Sequence, residues 1–478
     1  MSLPPEQTPP PSHQSAEERA ERGAPVVFEA EGLRLLPQRR GGYIRYADVT
    51  HLARSGRAVA IGSLRDVTVL RRREFANETA MQALEIALRN RIAGQSDGDQ
   101  RLAQMAVLDD LARAPVGHRT VYGFIAACLV VFAMQWRDPF VTQVGSFIPE
   151  LVSNGEPWRI VTANFLHDTM FLPLHLGLNL ICIAVIGLLV ERVLGSWRTG
   201  VVMAFAAVGS MYGCTLAGYE STIGASGVAA GLAGSLLCIE LNGSRRLPVW
   251  WRIPRRVFIG ALIAQAVVDY FAPFIAGAAH IGGFLAGYVI TRAFVEDSLL
   301  RRPAGRGVRA LALLAVATVL VSLIAIRPLL RRDTLALERH GLRVLQSVHG
   351  DAQNDNAVAW VMVTESEPSA IGVQVAAALA ERAVSETGRR DPFLLDTLAE
   401  VLFVAGDIPG AVIVIDEAIE LTGGDRYYLE QRRRFVGERD RDDRPEPPIG
   451  NPWFEAEPET PFRHPDVEPA PSGEEVVI

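Results

Sequence analysis

Seven apolar runs between Arg119 and Arg327 constrain this chain more than any other feature in it. Val121 to Gln135, Leu174 to Val190, Val201 to Ala217, Val228 to Leu241, Val257 to Ala272, Ile281 to Phe294 and Ala310 to Ile326 each approach or reach the ~20 residues that cross a bilayer as a helix. In lipid every backbone amide must find its partner within the protein, so such runs imply helices packed as a bundle. The chain reads as a multi-pass α-helical membrane protein with seven spans, several of them short.

The flanks have a different character. Met1 to Gln14 is polar and proline-rich and lacks the charged-then-apolar pattern of a cleaved signal, so residues 1–24 read as a disordered leader and the first span as its own insertion signal. Val26 to Phe28, Leu33 to Leu36, Tyr43 to Tyr46, Ala58 to Ile61 and Val67 to Leu70 read as short strands separated by glycine and arginine turns. Asn77 is placed to cap a helix in which Met81, Leu84, Leu88 and Ile92 recur at helical spacing, with Gly94 as its stop. Residues 25–95 are therefore expected to form a small β-rich soluble domain, and Tyr-Ala-Asp-Val at 46–49 with Ile-Gly at 61–62 resembles bacterial pleckstrin-homology-like (PH-like) domains. A linker helix is expected over 96–118, the membrane core over 119–296, and a loop with the seventh transmembrane helix over 297–327.

Beyond the spans, Ala399, Gly406-Asp407, Ala411 and Ala418-Ile-Glu-Leu follow Ala383-Val-Ser-Glu, which precedes the last of them by 35 residues. This resembles a tetratricopeptide (TPR-like) helical repeat over 333–438. Residues 439–478 are rich in proline and acid and read as a disordered tail. Both flanking domains are candidates for protein partners.

All of the 47 basic residues are arginine, and their placement is informative. Arg198 follows the second span; Arg245, Arg246, Arg252, Arg255 and Arg256 separate the fourth and fifth; Arg301, Arg302, Arg306 and Arg309 precede the seventh. By the positive-inside rule these loops are cytoplasmic, which puts the N-terminus in the cytoplasm and the C-terminal domain on the outer side. A net charge of −7 argues against general nucleic-acid binding. Cys128, Cys182, Cys214 and Cys238 all fall in spans, which excludes a disulfide framework for the soluble parts.

Several polar residues sit where lipid makes them costly. Ser226, flanked by Gly224 and Gly227, opens the fourth span, and His280 opens the sixth, so a hydroxyl and an imidazole share one depth near the outer face. Taken alone, a serine between glycines in a membrane helix is a close-packing site. Gly283 and Gly287 continue from His280 as a stripe that lets another helix approach closely, as a serine–histidine hydrogen bond requires. His175 and Asn179, four residues apart, project from one helical face and make an oxyanion-type donor pair, or else tie the bundle together. Asp269 and Asp168 lie near the same face; solvation at the interface is the reading preferred for both, ahead of orienting a histidine.

In chain order, Trp158-Arg159, His175-x-x-x-Asn179, Gly224-Ala-Ser226-Gly227 and His280-x-x-Gly283-x-x-x-Gly287 match the motifs of the rhomboid family. The resemblance runs from about Tyr122 to Phe294, includes Glu191-Arg-Val-Leu-Gly195, and implies a rhomboid-like six-helix core with a seventh span appended. It implies an intramembrane serine protease acting on transmembrane protein substrates near the outer face of a bilayer, such as a bacterial inner or plasma membrane. Ser226 as nucleophile and His280 as general base would form a catalytic dyad rather than a triad, with His175, Asn179 and the Ser226 amide stabilising the oxyanion. Trp158 and Arg159 would be structural, and neither cofactor nor metal is expected. Ala230 departs from the pattern, standing where many rhomboids carry an aromatic beside the histidine. The alternative is a non-catalytic rhomboid-like scaffold that binds or escorts membrane proteins. A transporter would require charged span centres or broken helices repeated in two halves, and neither pattern is present.

Overall fold

The computed structural model describes residues 16–36, 42–115, 117–169, 174–272, 275–347 and 351–445. It divides into two compact units, one built from most residues up to Arg327 and the other chiefly from Pro328 onward.

The first unit begins with α1 (Ala16–Gly23) and two three-stranded antiparallel sheets, β1 (Val26–Phe28), β2 (Gly32–Leu35) and β3 (Tyr43–Arg45), then β4 (Val49–Ser55), β5 (Ala58–Ser63) and β6 (Val67–Arg71). Apolar side chains from both sheets close over α2 (Glu78–Ala93), whose Met81, Leu84, Leu88 and Ile92 are buried in the same core. Asn77 caps α2 by accepting from the Ala80 amide at 2.8 Å, and Gly94 ends it. The strand pattern misses β4 because that strand does not alternate: Val49, His51, Leu52 and Ala53 are all buried, and a register shift separates Val49 from His51. The expected disordered leader is instead helical from Ala16. Ala20 is fully buried against α2, and Arg91 holds Glu17 through hydrogen bonds of 2.5 and 2.7 Å. Residues 1–15 lie outside the described residues. The expected linker helix is α3 (Gly98–Arg113).

All seven apolar runs are helical. The bundle comprises α4 (Arg119–Arg137), three short helices α5 (Phe140–Gly145), α6 (Pro149–Ser153) and α7 (Arg159–Thr162), then α8 (Leu174–Leu194), α9 (Ser196–Ala217), α10 (Ser226–Gly243), α11 (Arg255–Phe271), α12 (Gly277–Arg292), a short α13 (Val295–Leu299) and α14 (Arg306–Leu330). Of these α4, α8, α9, α10 and α14 are long and apolar enough to cross a membrane, while α11 and α12 have 17 and 16 residues. Leu129, Ile181, Val185, Val208, Ile263, Leu313 and Ile324 are exposed, an apolar surface that lipid covers at no cost.

Contacts at one end of the bundle follow alternate crossings. Buried Glu191, near the end of α8, accepts from the unpaired first-turn amides of Thr120 and Val121 at 3.0 Å each and so caps α4. Arg198, at the start of α9, donates to the carbonyl of Arg302 at 3.0 Å, and Trp251 lies beneath the guanidinium groups of Arg192 and Arg301. The β-rich segment docks on the arginine-bearing loop at this same end. Arg252 donates to the Ser63 carbonyl at 3.0 Å, the Arg255 amide donates to Asp66 at 3.0 Å, and Gln104 donates to the Arg245 carbonyl at 2.9 Å.

In the second unit α15 (Thr334–Gln346), α16 (Ala352–Thr364), α17 (Ala370–Glu386), α18 (Pro392–Ala405), α19 (Ile408–Leu421) and α20 (Arg426–Phe435) pack each against the next. Ala383, Ala399, Ala411 and Ala418 are fully buried, their small side chains letting the helices approach. Gly406, at φ +86°, ends α18, and Asp407 caps α19 through the Gly410 amide at 3.0 Å. The expected disorder from Arg439 is not seen in its first residues. Arg444 reaches buried Glu400 at 2.9 Å and Arg434 donates to the Arg441 carbonyl at 3.0 Å. Residues 446–478 lie outside the described residues.

His51 joins the β-rich segment to the loop on which it docks. It is 1% exposed, and its Nδ1 accepts from the Val249 amide at 2.9 Å, so Nε2 carries the proton and donates to Asp109 at 2.9 Å. Burial lowers its pKa, Asp109 opposes the shift, and Arg89 adds to it. A base whose folded pKa is depressed stabilises fully above its unfolded value of about 6.5, and that contribution is lost as pH falls toward the folded value. The thermal midpoint of the wild type in detergent should therefore fall on acidification from pH 7.5 to 5, and His51→Phe, lower at neutral pH, should fall less over that range.

Candidate active site

The site is assembled by backbone contact between α10 and α12. A methyl on Gly283 would run into the Gly227 carbonyl, one on Gly287 into the Gly231 carbonyl, and one on Gly234 into the Phe284 carbonyl. On the other side of α12, Gly209 and Gly213 of α9 meet Gly282 and Ala278 in the same way. Gly227 follows Ser226 and Gly283 lies one turn after His280. The closest backbone approach of the two helices therefore falls just inside Ser226 and His280.

Ser226 is the first residue of α10 and half-buried, with first-turn amides that have no helical acceptor. Gly224 before it has φ +126°, a conformation that L side chains rarely adopt. A methyl there would also stand 3.2 Å from His175 Nε2 and 3.9 Å from Ser226 Oγ, so these two atoms border one small space. His175 Nδ1 accepts from the Asp168 amide at 3.3 Å, which leaves the hydrogen on Nε2, facing that space. His167 packs edge-on against His175, with ring centres 5.3 Å apart. Burial, with the His175 ring alongside, pushes the His167 pKa down to about 4.

Asn179 is buried, but its amide donates to the carbonyl of His175 at 3.0 Å, one turn back on its own helix. The structure thus brings Ser226, Gly224 and His175 together and turns Asn179 onto α8. His280, 8% exposed, is bonded through Nδ1 to both carboxylate oxygens of Asp269, at 2.9 and 3.0 Å. Asp269 was expected at the solvated interface and is instead a histidine partner. Its signal in the sequence is the i, i+4 pair Gln265 and Asp269, which puts two polar groups on one face of an otherwise apolar helix.

Trp158 and Arg159 stand away from these groups and hold the loop that supports them. Arg159 is fully buried, paired with buried Glu156 at 2.7 Å, and donates to the Ser146 carbonyl at 2.7 Å; Trp158 donates to the Val144 carbonyl at 3.1 Å. Phe147, next to Ser146, exchanges two backbone hydrogen bonds of 3.0 Å with Thr222, and the Gly224 amide donates to the Ala163 carbonyl at 2.9 Å. The turn before Ser226 is therefore tied at both ends to a loop that the Arg159–Glu156 pair keeps folded.

Residues 154–297 match the family model described as the Rhomboid domain. This stretch of the membrane core is a rhomboid domain. Among its relatives are RHOMBOID-like protein 5 of Arabidopsis thaliana, 31% identical over 34% of this chain and 51% of the relative, and Rhomboid-like protease 3 of Toxoplasma gondii, 28% identical over 35% and 63%. Rhomboid protease GluP of Bacillus subtilis is 30% identical over 29% of this chain and 26% of its own length. The likeness thus covers about a third of the chain and about half the length of the first of these relatives.

Removing one partner of a buried ion pair strands the other, at a cost of about 3–5 kcal/mol. Arg159→Met is therefore expected to lower the thermal midpoint of the rhomboid domain sharply, and Arg159→Met with Glu156→Leu to recover most of the loss. Equal midpoints for the single and double variants would show that the pair does not hold the loop.

Proposed function

We propose that this protein is an intramembrane serine protease cleaving transmembrane segments of other membrane proteins, with Ser226 as nucleophile and His280 as general base. One observation carries the reading. His175 Nε2 and Ser226 Oγ border the same space over Gly224, at the N-terminus of the helix that interlocks with the one His280 opens. A rhomboid domain with protease-named relatives supports the same chemistry.

In this mechanism Ser226 Oγ attacks the scissile carbonyl carbon while its proton passes to His280 Nε2, and the carbonyl oxygen becomes an oxyanion. The Nε2–H of His175 and the first-turn amide of Ser226 stabilise that charge. Collapse breaks the C–N bond as the imidazolium returns its proton to the leaving amine, and water then hydrolyses the acyl-enzyme by the same route. Helical peptide bonds are shielded, so the segments cut are those that unwind at small or helix-breaking residues near the outer face. The β-rich segment docks on the arginine-rich loop, which supports a cytoplasmic N-terminus and a site opening outward.

A second reading, a non-catalytic scaffold that binds or escorts membrane proteins, is favoured by Ala230 and by the inward turn of Asn179. The two readings part in a reconstituted assay with a fluorogenic transmembrane substrate and products identified by mass. Cleavage lost in Ser226→Ala is the expected result. Loss of one oxyanion donor typically costs ~10²- to 10³-fold, so His175→Ala should fall in that range and Asn179→Ala, already turned away, should lose less. Silence of folded wild type across varied substrates would favour the scaffold.

A further inference from the structure

We propose that Asp269 of α11 is the positioning residue of His280, orienting the base of the serine–histidine pair from a neighbouring span. The proposal rests on the protease reading of Ser226 and His280. A carboxylate can only accept, so two contacts of 2.9 and 3.0 Å to Nδ1 place the ring hydrogen on that nitrogen and leave the Nε2 lone pair free. That is the tautomer a base needs in order to take the Ser226 proton. When Nε2 receives it, the imidazolium charge forms against a fixed negative partner in a site only 10% exposed at His280 and 16% at Asp269.

The environment of Asp269 argues that its place is specific. α11 is loosely held: among its described residues only Phe258 is buried, and Val257, Ile259, Ile263, Val267, Tyr270 and Phe271 are exposed. A carboxylate on such a helix is costly unless it is partnered inside the bundle. Gln265, one turn earlier, donates to Asp269 Oδ1 at 2.8 Å and holds it toward α12. The glycine at 277 lets the head of α12 come close, since a methyl there would stand 3.1 Å from Asp269 Cβ. On the α10 side Ala230, one turn beyond Ser226, offers only a methyl. Among the described residues, the hydrogen bonds that orient the His280 ring therefore come from α11.

The test uses the full-length protein in proteoliposomes with the fluorogenic transmembrane substrate, comparing wild type, Ser226→Ala, Asp269→Asn and Asp269→Glu, with thermal midpoints measured alongside. Positioning of a general base is worth on the order of 10²-fold or more, so Asp269→Asn should lose that much kcat with KM changed by less than about twofold, and Asp269→Glu should regain part of the kcat. A merely structural role would move KM and the midpoint together with kcat, and Glu would restore all three or none. Ser226-dependent cleavage with undiminished kcat in folded Asp269→Asn overturns this proposal and leaves the protease reading intact. A wild type no more active than Ser226→Ala overturns the protease reading and this proposal with it.

Discussion

Carbonyl-to-glycine contact between α10 and α12 is the constraint on which the rest of the site depends. With no hydrophobic drive between helices in lipid, close packing must come from van der Waals contact of backbones, and only glycine at 231, 234, 283 and 287 permits it here. That contact fixes the spacing of the two helix starts, and Ser226 and His280 are the residues those starts carry. Any side chain added to the stripe separates the helices and the reactive groups together.

Polar residues in and around the bundle obey the same economy. Glu191 caps α4, Arg159 pairs with Glu156, Thr291 donates to Ser235 at 2.7 Å, and Asp269 meets His280. Each satisfies a group that lipid would otherwise leave stranded, and those of Glu191 and Thr291 join segments distant in the chain. The site is therefore a local case of a general arrangement in which hydrogen bonds fix what glycine packing brings near. The loop between α4 and α8 belongs to it too, since Arg159 acts through Ser146, Phe147 and Thr222 on the turn that presents Ser226.

Much of this was legible in the residues. Apolar run length alone places all seven helices, because an α-helix pairs its own backbone groups, and small-residue spacing gives the interlocked face of α12. Asn77, Gly94 and Gly406 mark helix ends through rules that hold locally. What escaped were features decided by tertiary contact. β4 is buried on both faces and shows no alternation, α1 is held by burial of Ala20 and by Arg91 from 74 residues away, and Asn179 bonds its own helix. Asp269 was visible as a polar residue near the outer face, but only the fold shows that α11 delivers it to His280 and not to water.

The most direct test of the central claim is mapping of Ser226 by a fluorophosphonate probe in the membrane-embedded full-length protein, with His280→Ala as its comparison. Modification by the probe requires a serine made nucleophilic by a neighbouring base. The account predicts that mass spectrometry finds the adduct on Ser226 in the wild type and loses it in His280→Ala while the variant stays folded. An adduct formed equally well without His280, or none on Ser226 in folded wild type, would contradict it.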